Sequence, residues 1–113
     1  MIQEEGIPTV RNAVVAVLSK GVFGTDNTTV TKNDGGVLAP IASTELALNE
    51  KTVSGHQIKT KHVVPTTTAN GLTFAEHEIE LSDGTSLTRN TFNTFSKTDN
   101  IAVHAFTVFT LNP

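Results

Sequence analysis

The amino-acid sequence predicts a mainly β domain, an antiparallel β-sandwich or β-meander with one N-terminal α-helix packed on it. Residues 69–109 contain three runs rich in Thr, Phe, Ile and Leu, and turn-forming residues separate these runs. Residues 82–85, which include Asp83 and Gly84, join the first two runs in the manner of a tight hairpin. Only one long stretch, near the N-terminus, carries apolar residues at helical spacing.

Length and composition set the limits of this prediction. The 113 residues predict a single domain, residues 1–113, with one hydrophobic core. Charged residues make up 17% of the chain, below the ~25% that is usual. Uncharged Thr and Asn fill the difference, and such a surface suits β-structure and contact with neighbouring subunits. The sequence contains no cysteine, which excludes disulfides and thiolate metal sites.

The same summary excludes two classes of partner. The net charge is -3 and the basic residues are scattered, so the sequence predicts no binding to nucleic acid. No apolar run reaches the ~18 residues that span a bilayer, so no membrane association is expected. The first residues include the acids Glu4 and Glu5 and do not resemble a cleavable leader. We therefore expect synthesis in the cytoplasm without a signal peptide.

The N-terminal part predicts a polar lead-in followed by the helix. Residues 1–8 are mostly polar and reach Pro8, and Thr9 is a candidate helix cap. The helix is expected over residues 9–21, ending where Lys20 complements the helix dipole and Gly21 allows a left-handed end. One apolar stripe then faces the core, formed by Val10, Ala13, Val14, Val17 and Leu18.

The middle of the chain predicts a loop and then strands. Residues 25–40 are rich in Asn, Asp and Gly and are expected to form a surface loop. Residues 43–48 are predicted as a single helical turn. Residues 57–111 are predicted to form an antiparallel β region, beginning with a strand from Gln57 to Val64 that ends at Pro65. The positions predicted to face inward near this strand are Val53, Ile58 and Val63.

The last run, Ile101 to Phe109, is apolar on both of its faces. Ile101, Val103, Ala105, Thr107 and Phe109 share one face, and the other carries Ala102, His104, Phe106 and Val108. A strand that is apolar on both sides has to be covered on both sides. We expect the helix or a second sheet to cover one face and a neighbouring subunit to cover part of the other.

Candidate chemistry is weak throughout. Four histidines suggest metal binding, with His56 paired with His62 or His77 with His104, but compact metal motifs are absent. Asp and Asn residues at positions 26–34 lack the order of a calcium loop, and turn formation explains them. Glu76, Glu78 and Glu80 share one strand face, where paired carboxylates would suggest glycoside hydrolysis, but parallel side chains do not converge on a sugar. The sequence predicts no catalytic residue, no metal and no cofactor.

Several segments together resemble small structural proteins of tailed bacterial and archaeal viruses. The segments that carry the resemblance are Ala69 to Glu76, Asp83 to Phe92, Lys97 to Ile101, Arg11 to Ala13 and Gly24 to Asp26. In that group a similar strand, an Asp-Gly hairpin, an Arg-containing strand and a Lys-Thr-Asp turn recur in tail-fibre and tail-tip components. The resemblance implies a non-enzymatic virion protein, a tail, fibre or baseplate component that acts as a homo-oligomer such as a trimer alongside other virion proteins.

Two further readings stay open at this stage. A capsid decoration protein that clamps neighbouring capsomers belongs to the same broad class, and a carbohydrate-binding adhesin module belongs to another, although the chain lacks Trp and Tyr platforms. Arg89 and Lys97 are predicted to form ion pairs with Glu76 or Glu78, either within the sheet or across an interface. The full set of predicted interface residues is Glu76, Glu78, Arg89, Lys97, Phe106 and Phe109.

Overall fold

A computed structural model describes residues 3–111 and contains one α-helix and two antiparallel sheets, which confirms the predicted mainly β class. Two short 3-10 turns lie at Glu4–Gly6 and Ala42–Thr44. The regular elements are α1 (Ile7–Val17), β1 (Leu18–Gly24), β2 (Leu46–Ala47), β3 (Glu50–Ser54), β4 (Gln57–Val64), β5 (Thr73–Leu81), β6 (Ser86–Ser96) and β7 (Val103–Thr110).

The strands form a sandwich, and the meander alternative is wrong at its third strand. One sheet has the order β2-β1-β5-β6 and the other has the order β3-β4-β7. The β5–β6 hairpin forms at the predicted turn, but β7 pairs with β4 and not with β6. The connection from Lys97 to Ala102 is longer than a tight hairpin turn, so it can carry the chain across to the second sheet.

The helix lies earlier than predicted. It spans Ile7–Val17 instead of residues 9–21, with Gly6 at its N-cap and Pro8 in its first turn, so Thr9 does not cap it. Lys20 and Gly21 belong to β1, where they pair with Glu80 and Ile79 of β5. The β-branched residues in this region accept either structure, and pairing with β5 decides in favour of a strand.

The core lies between the two sheets in two adjoining clusters. Phe23, Ile41, Val64 and Phe74 form the first, and Leu18, Ile58 and Ile79 form the second. Strand β4 spans the predicted residues, and alternate positions from Ile58 to Val64 are buried. This alternation places Val63 on the outer face, so that predicted inward position is wrong. Val53 of β3 lies opposite Ile58 and shares its face, but it remains exposed at the edge of the sheet.

The predicted helical turn over residues 43–48 is also only partly correct. A 3-10 turn at Ala42–Thr44 is followed by the short strand β2, which pairs with β1. Residues 25–40 form no helix or strand, apart from a bridge between Gly24 and Pro40. Within residues 3–111, no helix has the length and apolar character needed to cross a lipid bilayer.

Candidate functional site

The loop of residues 25–40 is attached to the outer face of the first sheet by one buried carboxylate. Glu76 of β5 is fully buried. Its Oε2 accepts hydrogen bonds from the backbone N–H groups of Asp26 and Ala39, both at 3.0 Å, and its Oε1 accepts one from Leu38 at 2.8 Å. A carboxylate that collects several N–H donors holds both ends of a loop at once.

Arg89 of β6 completes this network. Its Nε donates to Oε1 of Glu76 at 2.9 Å and its Nη1 donates to Oδ2 of Asp34 at 2.9 Å. The same guanidinium donates to the backbone carbonyl oxygens of Asp26 and Thr28. The predicted pairing of Arg89 with Glu76 is therefore present as a buried ion pair within the sheet, and its geometry differs from that of a weak exposed pair.

The ionisation of Glu76 follows from these contacts. Burial favours the neutral acid, but hydrogen bonds from Arg89 and from the loop backbone favour the carboxylate, and together they hold the pKa of Glu76 below its usual range. Hydrogen bonds from Thr28 to Asp26 and from Thr31 to Asp34 likewise lower the pKa of these loop acids. Three carboxylates and one guanidinium thus share the base of the loop as charged groups.

Glu78, the next residue on this face, is buried in a different environment. Desolvation raises its pKa, against the opposing effect of hydrogen bonds from Ser86 and from the Val37 backbone. Gly36 passes directly over the Glu78 carboxylate with φ +120°, and a Cβ at this position would collide with it. Two of the three glutamates in this row, Glu76 and Glu78, therefore lie beneath the loop.

Lys97 lies apart from Glu76 and Glu78, at the far end of β6. Its side chain is fully buried, and Nζ donates to Oδ1 of Asn70 at 2.7 Å and to the carbonyl oxygens of Thr66 and Thr98 at 3.2 and 3.5 Å. The described residues place no carboxylate within ion-pair distance of it, so its predicted pairing with a glutamate is wrong. Lys97 instead fastens the connection between β4 and β5.

Two histidines join the two sheets through the core. Nδ1 of His62 (β4) lies 2.9 Å from Nε2 of His77 (β5), and Nε2 of His62 lies 2.9 Å from the carbonyl oxygen of Thr44. A carbonyl only accepts, so His62 must donate from Nε2, accept at Nδ1 and receive its hydrogen bond from Nε2–H of His77. Desolvation by burial lowers the pKa of both imidazoles, that of His77 to about 3. Both rings are therefore neutral near pH 7.

This pair is a feature that sequence reasoning missed, because it paired His56 with His62 and His77 with His104. Instead, His56 contacts Glu4, and His104 is exposed. One signal was present: His62 lies an even number of residues from Ile58 and from Val64, which predicts a buried position. Across the residues with described positions, no group of three or more metal-ligating side chains converges.

An apolar cleft of about 410 Å³ lies between β6 and β7, on the side where the sandwich is open. Aromatic rings form most of its wall, and Asn90, His77 and His104 are its main polar residues. The aromatic and aliphatic lining residues are Phe23, Phe92, Phe95, Phe106, Val103 and Ala105. Phe23 stacks on Phe74 and on the His62 ring, so the floor of the cleft is continuous with the core.

The two phenylalanines of β7 that were predicted to lie at an interface, Phe106 and Phe109, differ in their exposure to solvent. Phe109 is half-buried and packs against the cluster of Leu18 and Ile58. Phe106 is 70% exposed and its outer-face neighbour Val108 is 51% exposed. Glu76, Glu78, Arg89 and Lys97 are buried inside a single subunit, so of the six predicted interface residues Phe106 is the most open to a partner.

The described part of the chain brings together a buried polar network, a histidine pair, an aromatic cleft and an exposed apolar strand. No protein-family model matches the chain, and no curated protein or solved structure matches it either.

Proposed function

We propose that this protein is a non-enzymatic structural subunit of a tailed-virus particle, a tail, fibre or baseplate component that acts through homo-oligomeric assembly. The observation that carries the proposal is the free edge of β7, where unpaired backbone groups and exposed apolar side chains belong to the same residues. Strand β7 is the last strand of its sheet among the described elements. The resemblance to virion proteins supports the choice of particle.

The direction of the backbone groups follows from the pairing with β4. The N–H of Leu111 donates to the carbonyl oxygen of His56, in continuity with the pairing of Gln57 with Thr110. In an antiparallel pair, alternate residues direct their backbone groups to opposite edges. Odd-numbered residues of β7 therefore face β4, and the backbone groups of the even-numbered residues, Phe106 and Val108 among them, face outward.

The usual protection of an edge strand is missing from β7. Residues Val103–Thr110 contain no proline and no Lys, Arg, Asp or Glu, and eight consecutive pairs with β4 run without a bulge. Natural edge strands avoid pairing with other chains through charges, prolines, bulges or short length. A long, regular and apolar edge supports a role in strand pairing between subunits, which is a common mode of protein assembly.

A test of this proposal uses two variants of the edge. Phe106→Lys adds a charge to the exposed face, and Val108→Pro removes an outward N–H without removing a bond to β4. The matched control is Val53→Lys, which changes an exposed valine on β3 at the opposite edge of the same sheet. Light scattering at several concentrations gives the mass of each species, negative-stain imaging gives its shape, and circular dichroism checks folding.

We expect the unmodified chain and the Val53 variant to form the same discrete oligomer, and both β7 variants to remain monomers. A monomeric mass for the unmodified chain at every concentration would overturn the proposal. Oligomers of unchanged mass in both folded β7 variants would also overturn it.

A further inference from the structure

The aromatic cleft between β6 and β7 contains a free hydrogen-bond acceptor, Nδ1 of His77. Nε2–H of His77 is used by His62, which leaves Nδ1 of His77 with a lone pair and no proton. This nitrogen has no hydrogen-bond partner in the described part of the chain, yet it is not among the side-chain atoms sealed away from solvent. His77 is only 5% exposed and lines the cleft. The free acceptor is therefore reached from the cleft.

The other residues that line the cleft determine which kind of ligand fits it. The ring of Phe23 packs on His77, Phe92 packs on Phe23 and Phe95 packs on Phe92. Val103 and Ala105 also line the cleft. A cavity of about 150 Å³ already admits a benzene ring. The volume of about 410 Å³ admits one or two fused rings.

We infer that this cleft is a binding site for a planar aromatic molecule carrying one N–H or O–H donor, such as an indole or a phenol. The ring packs among the phenylalanines and its donor bonds Nδ1 of His77, fixing the orientation of the ligand. The chain contains no Trp and no Tyr, so another copy of this protein cannot supply an indole or a phenol. Its ligand is therefore a different molecule, although the cleft shares Phe106 with the β7 edge proposed for self-association.

The absence of Trp and Tyr also makes the test direct, because the indole of the ligand is then the dominant fluorophore. The chain is titrated into indole and into N-methylindole, which keeps the rings but lacks the donor. Titrations are made at concentrations where light scattering gives a monomer, so that a second copy cannot cover the cleft. Binding is followed by the blue shift of indole emission on transfer to an apolar site.

We expect saturable binding of indole that is about tenfold tighter than that of N-methylindole, as one well-placed hydrogen bond requires. His77→Phe removes the acceptor and abolishes this preference. Ala105→Leu fills the cleft and weakens the binding of both ligands at least about tenfold. The matched control is Ala102→Leu, the same change at an exposed position outside the cleft, and it leaves binding unchanged.

Titrations of the unmodified chain and of Ala105→Leu test the inference even if His77→Phe does not fold. Equal affinity of the unmodified chain for the two ligands, or a shift that does not saturate, would overturn the inference, and so would unchanged binding in Ala105→Leu. A parallel titration with N-acetyltryptophanamide distinguishes a free small-molecule ligand from an aromatic side chain of a peptide. Weaker binding than indole points to a free small molecule, whereas tighter binding points to a side chain presented on an extended peptide.

Discussion

Arg89 and Glu76 lie on neighbouring strands with Nε and Oε1 2.9 Å apart, and this single pair fixes the position of a loop that has no regular secondary structure. Glu76 holds the backbone of the loop at Asp26, Leu38 and Ala39, and Arg89 holds its middle at Asp34. Glu76 is fully buried, so without Arg89 it would be a charge with no counterion, whereas Arg89 without Glu76 would still pair with Asp34.

Replacing Arg89 with methionine should therefore destabilise the fold strongly. Glu76 would remain buried without its counterion, and we expect a loss of about 3 kcal/mol in the free energy of unfolding. Urea unfolding measures this loss, and amide exchange should increase in residues 25–40. Lys20→Met is the control, because Lys20 and Glu45 form an exposed pair and the expected loss is under about 1 kcal/mol. Equal losses in the two variants would contradict the prediction.

The two adjacent glycines of the loop should respond differently to alanine. Gly36→Ala places a methyl group against the Glu78 carboxylate at φ +120°, and we expect a loss of about 2 kcal/mol or more. Gly35 has φ +70° and open space around it, so Gly35→Ala should cost only about 1 kcal/mol. Thermal or urea unfolding of both variants measures the difference. A smaller loss for Gly36 than for Gly35 would show that the loop does not pack on Glu78.

The histidine pair predicts acid sensitivity. Unfolded histidines bind protons below about pH 6.5, whereas His77 in the folded state has a pKa of about 3 and that of His62 is also lowered. The unfolded state then binds more protons, so the free energy of unfolding falls as the pH drops below about 6.5. His77 contributes up to about 1.4 kcal/mol per pH unit down to its folded pKa of about 3, and the lowered pKa of His62 adds to the fall.

Two glutamates modify this profile in opposite directions. Because the pKa of Glu76 is lowered in the folded state, stability is lost as the pH falls below the pKa that Glu76 has in the unfolded chain. Because the pKa of Glu78 is raised in the folded state, stability is lost as the pH rises above the pKa that Glu78 has in the unfolded chain. Urea unfolding between pH 7.5 and 4 measures the slope. His104→Gln changes an exposed histidine outside the pair and is the control. An unchanged slope in a folded His77→Phe variant would contradict the prediction.

Lys97→Met should test how much the buried Lys97 contributes by fastening the connection between β4 and β5. The methionine fills similar space but leaves the carbonyl of Thr66 and the amide oxygen of Asn70 without their donor, so we expect a loss of about 1–3 kcal/mol. Lys59→Met, at an exposed position of β4, should change the free energy of unfolding by less than about 0.5 kcal/mol. Chemical unfolding compares the two, and a neutral Lys97 variant would mean that the buried ammonium contributes nothing.

Local sequence patterns predicted the positions of helices and strands better than they predicted which strands pair. The strand from Gln57 to Val64 and the hairpin around Asp83 and Gly84 were both correct, because alternation and turn chemistry are local properties. The helix was placed too late because Val-rich sequence suits both helix and strand, and pairing with β5 settles the boundary at Leu18. The single helical turn was partly correct, because a 3-10 turn at Ala42–Thr44 is present but pairing with β1 makes Leu46–Ala47 a strand.

The candidate site depended even more on distant residues. Glu76 and Arg89 were recognised as a possible pair, but the folding of residues 25–40 over them is what removes them from solvent. His62 and His77 face each other only because β4 and β5 lie in different sheets.

The sequence by itself determined a mainly β chain with one N-terminal helix, a hairpin at Asp83 and Gly84, and a final strand apolar on both faces. Spacing and turn residues encode these features within a few positions of the chain. Only the tertiary structure decided that β7 joins β4, that the glutamates carry a loop and that two imidazoles bridge the sheets. Those outcomes depend on contacts between residues far apart in sequence, which the burial of apolar surface and the pairing of buried polar groups select together.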